Sequence, residues 1–272
     1  MQNYSSSPKE MALSFWRNRN LIKSLTEREI LGRYKGSMGG IVWAILHPLF
    51  MLLIYTFVFS IVFKAKWNSS SDSKTEFALI LFSGLLVFNL FAECFNRSPN
   101  LILSNSNYVK KVIFPLEILP WVAIGAALFH MLIGLAVWFI AYLIFIGTPP
   151  WTILLTPLAL MPLIFLLAGI SWVFSSLGVY IRDIAQFTTV LTSIIMFISP
   201  IFYPIESIPE KYRIFLELNP ITPSIEYFRD VLFFGYLPSI SGWLINLLLS
   251  VLFSWFAFSC FQKARRGFAD VI

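Results

Sequence analysis

Charged residues are scarce in this sequence of 272 amino acids. Only 12% of its residues are Asp, Glu, Lys or Arg, whereas 58% are hydrophobic. Soluble domains carry about 25% charged residues, so the excess apolar surface predicts an integral membrane protein that is mostly helical. The net charge of +6 does not indicate a nucleic acid partner, because the basic residues cluster at the ends of the apolar runs.

Cysteine and histidine are rare as well. Cys94 and Cys260 are the two cysteines, and both fall near predicted cytoplasmic ends of apolar runs, which argues against a disulfide framework. No His, Cys, Asp and Glu cluster has metal-ligand spacing. His47 and His130 are far apart in the sequence, so each is assigned a hydrogen-bonding role between helices. We expect neither a metal nor a cofactor in this chain.

The sequence also lacks the residues of several common membrane activities. A glycine-rich loop ending in Lys-Ser or Lys-Thr is missing, so the chain does not hold ATP phosphates by that route. Glu93 and Glu117 fall at predicted span ends, within reach of Arg97 or Lys110, which leaves the span interiors nearly free of charge. This argues against a proton-driven carrier and against a membrane-embedded hydrolase or transferase. A scaffolding membrane protein stays open as an alternative.

Six apolar runs are long enough to predict membrane spans. They cover residues 41–63, 77–95, 118–146, 151–180, 184–203 and 240–261. Six crossings place both termini on one side, and 14 of the 20 Lys and Arg residues lie on that side. The positive-inside bias therefore predicts cytoplasmic termini. We divide a single transmembrane domain into a tail with an interface helix (1–40), spans one to five (41–203), an outer segment (204–238), span six (239–261) and a tail (262–272).

Two amphipathic segments are predicted on the cytoplasmic side. Thr26 and Glu29 fit a capping box and Gly36 is a natural stop, so an interface helix is expected on the membrane surface. A second short helix is expected over residues 99–112, between spans two and three. Such helices either lie on lipid or dock a soluble partner, and the sequence leaves both possibilities open.

The outer segment predicts two short helices rather than a span. The start and stop signals are a capping box of Ser207 and Glu210, the pair Asn219-Pro220, Pro223 in a first turn, and Gly235. Each helix would have about 11 or 12 residues, roughly 16–18 Å against about 30 Å of hydrocarbon. We therefore predict two re-entrant helices that dip into one leaflet.

A charged pair, Arg182-Asp183, interrupts the apolar sequence between spans four and five. Its position at a cytoplasmic boundary favours a structural and coupling role at the mouth of the protein. The alternative is a simple anchor, in which Arg182 extends its charged group to the lipid headgroups.

Several motifs resemble those of the polysaccharide ABC exporter permeases. Near the amino end they are Glu27-Arg28-Glu29-Ile30, Arg33-Tyr34-Lys35, Gly39, Trp43 and Pro48. Toward the carboxyl end they are Tyr180-Ile181-Arg182-Asp183, Ser199-Pro200-Ile201-Phe202-Tyr203-Pro204, Asn219-Pro220 and Arg229. The family usually carries Asp where this chain has Glu29.

The resemblance implies a type-2 ABC transporter membrane subunit that works as a homodimer with two separate ATPase subunits, which bind ATP and magnesium. It implies export of a lipid-linked polysaccharide across the bacterial inner membrane. O-antigen is the favoured cargo, with capsule or teichoic acid as alternatives. A drug or small-lipid permease and a membrane glycosyltransferase are the alternatives of other classes.

Three groups of site residues follow from the motifs and from the residues themselves. For coupling or ATPase contact we predict Glu29, Ile30, Arg33, Tyr34, Tyr108, Arg182 and Asp183. For the polymer path we predict Tyr55, Phe59, Phe197, Tyr203 and Tyr227, because aromatic faces offer sugars weak apolar contact. For the outer re-entrant lid we predict Asn219, Pro220, Pro223 and Arg229.

Overall fold

The computed structural model describes residues 5–36, 38–58, 67, 74–109 and 114–272, and these ranges contain helices and no strand. The helices of eight or more residues in these ranges are α1 (Pro8–Arg17), α2 (Arg19–Tyr34), α3 (Val42–Tyr55), α4 (Lys74–Arg97), α5 (Leu119–Phe145), α6 (Thr156–Tyr180), α7 (Ile184–Ile198), α8 (Glu210–Glu217), α9 (Thr222–Arg229) and α10 (Ile240–Ala264). The predicted all-helical class is confirmed.

Four of these helices are long and apolar enough to cross a membrane. With their flanking turns they run over Thr75–Asn100, Leu116–Phe145, Trp151–Tyr180 and Ile240–Val271. The shortest has 26 residues, about 39 Å at 1.5 Å per residue, which exceeds the hydrocarbon thickness of about 30 Å. The second, third, fourth and sixth predicted spans therefore have matching helices.

The other two predicted spans have shorter helices. The first is helical over Val42–Val58, and its predicted remainder, residues 59–63, lies outside the described residues. The fifth prediction, over 184–203, is wrong at its carboxyl end, because α7 stops at Ile198. Ser199 has extended backbone angles, since a residue before proline is pushed out of the helical region. At about 22 Å, α7 is shorter than the hydrocarbon layer.

Helix α4 lies at the centre of the bundle, where 83% of the residues in its most apolar stretch are buried. It packs against α3, α5, α6, α7 and α9. The indole N–H of Trp138 on α5 donates to the Leu79 carbonyl of α4 at 2.9 Å. On α6, Trp172 donates to the Glu117 carbonyl at 3.1 Å. These bonds satisfy polar groups that would otherwise be buried without a partner.

The segment after α4 differs from the predicted surface helix over 99–112. It forms separate short turns at Ser98–Asn100, Leu103–Asn105 and Ser106–Val109, and residues 110–112 lie outside the described ranges. Leu101 and Ile102 are buried in the core. The Pro99 carbonyl packs directly on Gly178 of α6, where any Cβ atom would overlap it. The prediction of a surface helix fails because these apolar residues pack inward.

Both terminal segments meet at one end of the bundle. Glu117, just before α5, accepts hydrogen bonds from Ser14 at 2.9 Å and from Arg265 at 2.5 Å. The Ser6 carbonyl accepts from Trp255 at 3.1 Å and from Ser259 at 3.0 Å on α10. We call this the terminal end of the bundle and the opposite end the distal end.

Both predicted capping boxes are wrong. Thr26 lies in the middle of α2, which begins at Arg19. Ser207 donates its hydroxyl to the Pro204 carbonyl at 2.7 Å instead of capping α8, which begins at Glu210. The glycine stops are confirmed. Gly36 follows α2 with φ of 87°, and Gly235 has φ of 74°, a conformation that glycine adopts without steric cost.

Candidate functional site

The distal end carries the short helices α8 and α9, which have eight residues each. A π-helical turn, Asp230–Phe234, extends α9 to Gly235. Helix α8 is shorter than the predicted 11 or 12 residues, because it begins only after Pro209. Helix α9 and its π-helical turn together run from Thr222 to Phe234, close to the predicted length. The eight residues of α8 span about 12 Å, and α9 with its π-helical turn spans about 20 Å, so neither can cross a bilayer.

Asn219 fixes the bend between the two short helices. Its side chain is buried, and Nδ2 donates to the Ser199 hydroxyl at 2.8 Å. Its Oδ1 accepts from the Ile221 N–H at 3.2 Å. The bend is therefore joined to the end of α7. Of the predicted lid prolines, Pro220 is exposed at the bend and Pro223 lies in the first turn of α9.

Arg229 seats α9 against the rest of the bundle. It is only 4% exposed, and its guanidinium donates to the Pro200 carbonyl at 3.0 Å and lies over the Trp67 ring at 4.3 Å. It also lies against Gly84 of α4, where a Cβ atom would come within 2.7 Å of a guanidinium nitrogen. Gly84 is ten residues into α4, about 15 Å from its start. The Arg229 guanidinium therefore lies well inside the bundle, away from its distal end.

The pKa values of Arg229 and of the acidic residues near it are shifted from their ordinary values. Burial raises the pKa of Glu226 to about 7 and lowers the pKa of Arg229 to about 10. Burial also raises the pKa of Asp230. The cause is the loss of hydration, which disfavours the charged form of each group. The nearby opposite charges reduce these shifts and do not cancel them.

The terminal end contains a cavity of about 950 Å³ between α2, α3, α4 and α5. The predicted coupling residues Glu29, Ile30, Arg33 and Tyr34 line it from α2. The other polar lining residues are His47, Asn89, Glu93, Asn96, Arg97 and His130. The structure therefore brings four of the seven predicted coupling residues together in one site, next to polar residues of α3, α4 and α5.

Glu93 is the centre of a hydrogen-bonded network in this cavity. Its carboxylate accepts from Arg33 of α2 at 2.5 Å and from Arg97 at 3.5 Å. The His130 ring of α5 lies 3.0 Å from the same carboxylate, and Arg97 also pairs with Glu29. These contacts join α2, α4 and α5, and they confirm the hydrogen-bonding role predicted for His130.

The remaining predicted coupling residues lie outside the cavity lining. The Tyr108 hydroxyl accepts from Arg28 at 2.6 Å, and its ring stacks on Phe114 at 4.1 Å. Arg182 and Asp183 are exposed at the junction between α6 and α7. Asp183 gives α7 no side-chain capping bond.

The predicted path aromatics occupy different places. Phe197 is 66% exposed near the end of α7, and the Tyr203 hydroxyl donates to its carbonyl at 2.8 Å. Tyr227 packs beside Gly242 at the start of α10. Tyr55 lies half-buried at the end of α3, and Phe59 lies outside the described residues. The structure joins Phe197 to Tyr203, and the path itself stays a prediction.

The polar stripe of α4 lines the cavity but is missing from the predicted site residues. The stripe consists of Asn89, Glu93, Asn96 and Arg97. They stand at positions i, i+4, i+7 and i+8, so they share one helical face. Asn96 also accepts a hydrogen bond from Thr192 of α7 at 2.9 Å. The spacing of polar residues within an apolar run was the available signal for this face.

Comparisons with known proteins agree with this picture of a membrane-embedded helical bundle. The chain is 26% identical over 256 residues to the O-antigen export system permease protein RfbA of Myxococcus xanthus, covering 93% of this chain and 96% of that protein. It is 27% identical over 263 residues to the protein of the same name from Klebsiella pneumoniae, with 93% and 95% covered. It is 29% identical over 223 residues to the polysialic acid transport protein KpsM of Escherichia coli, with 79% and 82% covered.

A family model described as ABC-2 type transporter matches residues 20–233. The match begins in α2 and ends in the π turn after α9, so it includes the cavity at the terminal end and the short helices at the distal end. The chain therefore belongs to the membrane subunits of the ABC-2 type transporter family.

Proposed function

We propose that this chain is the membrane permease of an ATP-driven exporter that moves lipid-linked polysaccharide, with O-antigen as the favoured cargo. The observation that carries the proposal is the similarity to O-antigen export permeases over 93% of the chain. The family membership supports a role in transport rather than in catalysis. ATP hydrolysis is assigned to a separate subunit that binds ATP and magnesium.

The proposed assembly has two copies of this chain and two ATPase subunits in the bacterial inner membrane. In each copy α3 and α7, together with the residues that flank them, complete six spans, and the terminal end faces the cytoplasm. The exposed face of α2, which includes Leu31 at 65% exposure, is available to a soluble partner. On this arrangement α2 docks the ATPase, while its opposite face holds Glu29 and Arg33 in the cavity network.

The two distal helices are proposed to be a re-entrant lid on the outer side. The depth of Arg229 supports this, since it reaches Gly84, about 15 Å along α4. Asn219 and Arg229 hold the lid on the Ser199-Pro200 turn at the end of α7. A movement of α7 would therefore carry the lid with it. The polymer would pass beside Phe197 and Tyr203, on exposed aromatic surface.

An acidic polymer is the second candidate cargo. It is favoured by the 29% identity to polysialic acid transport protein KpsM over 79% of the chain. A polymer of this kind carries a negative charge on each unit, so its path would require weak cationic contacts as well as aromatic ones. The favoured neutral or mixed O-antigen would require aromatic contacts above all.

The proposal is tested by deleting the gene in its host and following the polymer. We expect the surface polysaccharide to disappear while lipid-linked polymer accumulates inside the cell, and plasmid-borne wild type should restore export. Composition analysis of the accumulated polymer separates O-antigen from an acidic capsule-type cargo. Unchanged surface polysaccharide together with altered drug resistance would contradict the proposal and favour a drug permease.

A further inference from the structure

The cavity at the terminal end has a charged part and an apolar part. The charged part is next to α2, where Arg33, Arg97 and His130 surround the Glu93 carboxylate. The apolar part lies between α3, α4 and α5, lined by Pro48, Met51, Phe82, Leu86, Leu90 and Met131. Phe82 is eleven residues before Glu93 on α4, about 16 Å away along the helix. The lining matches a ligand with a polar head and a hydrocarbon tail.

The charged part concentrates hydrogen-bond donors on one carboxylate. Glu93 alone accepts from Arg33 and Arg97, and it lies 3.0 Å from Nδ1 of His130, which donates to it when that nitrogen carries a proton. Arg33 uses a single terminal nitrogen for its contacts, and among the described residues its other nitrogens have no partner. The Nε2 atom of His130 is buried, also with no partner among those residues. A phosphate has several acceptor oxygens and can receive the free guanidinium N–H groups, together with Nε2 of His130 in the imidazolium form, in which both ring nitrogens donate.

We propose that this cavity binds the phosphate head of a membrane lipid. This binding would be one step of the proposed export function, and the inference rests on that function. Arg33, Arg97 and His130 hold the phosphate, and the hydrocarbon chain lies along the apolar lining. The Glu93 carboxylate is the internal ligand that keeps the donors in place until the phosphate displaces it. The ligand chemistry is a phosphate ester on a long hydrocarbon, supplied either by the diphosphate carrier of the polymer or by a bulk phospholipid.

Charge balance decides how the site responds to substitution. Arg33 and Arg97 face two carboxylates, Glu29 and Glu93, so an anion binds only where a carboxylate gives way. The repulsion between a carboxylate and a phosphate about 4 Å apart outweighs the loss of one orienting hydrogen bond. Glu93→Gln should therefore strengthen phosphate binding. A purely structural role of Glu93 predicts the opposite change.

The test measures lipid binding to the full-length chain, purified from membranes with the subunits that accompany it, by native mass spectrometry. The probes are farnesyl diphosphate, farnesol, inorganic pyrophosphate and phosphatidylglycerol. Farnesyl diphosphate should bind about tenfold more weakly to Arg33→Gln or Arg97→Gln, the loss of one charge-assisted hydrogen bond. It should bind about tenfold more tightly to Glu93→Gln. Arg19→Gln, at an exposed arginine of the same helix α2, is the matched control and should change affinity less than about twofold.

The probes separate the sources of the ligand. Preference for farnesyl diphosphate over phosphatidylglycerol supports the site and assigns it to the carrier lipid, and equal binding supports the site and assigns it to bulk phospholipid. Equal binding of farnesol or of pyrophosphate alone overturns the proposal. So does an Arg33→Gln affinity equal to wild type. Weaker binding by a folded Glu93→Gln overturns the role of Glu93 as internal ligand.

The Arg33 variants and the binding assay do not depend on an intact export reaction. Arg33 is half-exposed, so its variant should fold even where substitution of the more buried Glu93 disrupts the bundle, and gel filtration establishes this. The measurement needs neither ATP nor polymer. Loss of binding would therefore leave the export proposal standing, and a failed export test would leave a lipid site of unassigned purpose.

Discussion

The guanidinium group of Arg229 occupies the space that a side chain at position 84 would need. A Cβ atom on Gly84 would lie 2.7 Å from one of its nitrogens, closer than van der Waals contact allows. Arg229 cannot easily move aside, because it is buried and bonded to the Pro200 carbonyl. A glycine inside a membrane helix thus provides the seat of the distal helix pair.

Gly84→Ala should loosen the seating of α9 and destabilise the protein by about 1–3 kcal/mol, the usual effect of overpacking. Gly32→Ala is the matched control, since a Cβ at this helical glycine meets no atom within 4 Å. The control should be neutral or stabilising by up to about 1 kcal/mol, because alanine favours helix. Thermal unfolding in lipid nanodiscs measures both. Equal stability of the two variants would contradict the seating role of Gly84.

Glu226 should make stability depend on pH. Its pKa in the folded chain is about 7, above the value of about 4.3 in an unfolded chain, so the folded state binds the proton more tightly. The contribution of Glu226 to stability is therefore greatest below about pH 4.3, declines as the pH rises to 7, and is absent above that. Glu226→Gln removes this dependence and should unfold at a higher temperature than wild type at pH 8. The two should converge below about pH 4.3. Glu210→Gln, at an exposed glutamate whose charge does not act on Glu226, should follow the wild-type curve.

Asp183→Asn tests the coupling role of the charged junction. Both Arg182 and Asp183 are exposed where α6 ends and α7 begins, so they are accessible to a partner subunit. We expect the variant to assemble normally while ATP hydrolysis continues with reduced export. Paired ATPase and export assays on the same preparation measure the ratio. Wild-type ATPase activity together with wild-type export would show that Arg182-Asp183 acts only as a membrane anchor.

Single cysteines at Tyr34 and Tyr108 test the contact with the ATPase. If the flanks of α2 face that subunit, both cysteines should cross-link to it and neither should react with lipid-soluble probes. Ala127→Cys, at a buried cavity position, is the control and should not cross-link. Labelling by lipid probes without cross-links to the ATPase would show that α2 lies only on the membrane.

Replacing Tyr55, Phe59 and Phe197 together by Ala tests the aromatic polymer path. Sugar C–H groups stack on aromatic faces, so loss of all three should abolish export or its stimulation of ATPase activity in a stably folded complex. A triple substitution of exposed aliphatic residues, Leu244, Leu248 and Leu252 on α10, controls for general loss of apolar surface. Normal export by the aromatic variant would place the path elsewhere.

The elements that have a local cause follow from the amino-acid sequence alone. Long apolar runs with few charges specify helices, because the backbone must satisfy its own hydrogen bonds in lipid. That rule located the helices matching spans two, three, four and six. The stops at Gly36 and Gly235 were also predictable, since a left-handed residue ends a helix and glycine adopts it freely.

Which groups meet across helices depends on how the helices pack in three dimensions. Arg33 and His130 lie 60 and 37 residues from Glu93 in the sequence, and helix packing alone brings them to one carboxylate. The same holds for Arg229 at Gly84, and for Leu101 and Ile102, which packing draws into the core. Local signals failed where they opposed packing: a cap contributes about 1 kcal/mol, whereas burying one large apolar side chain contributes about 1.5–3 kcal/mol. Helix positions were thus set by sequence, and the site by how the helices pack.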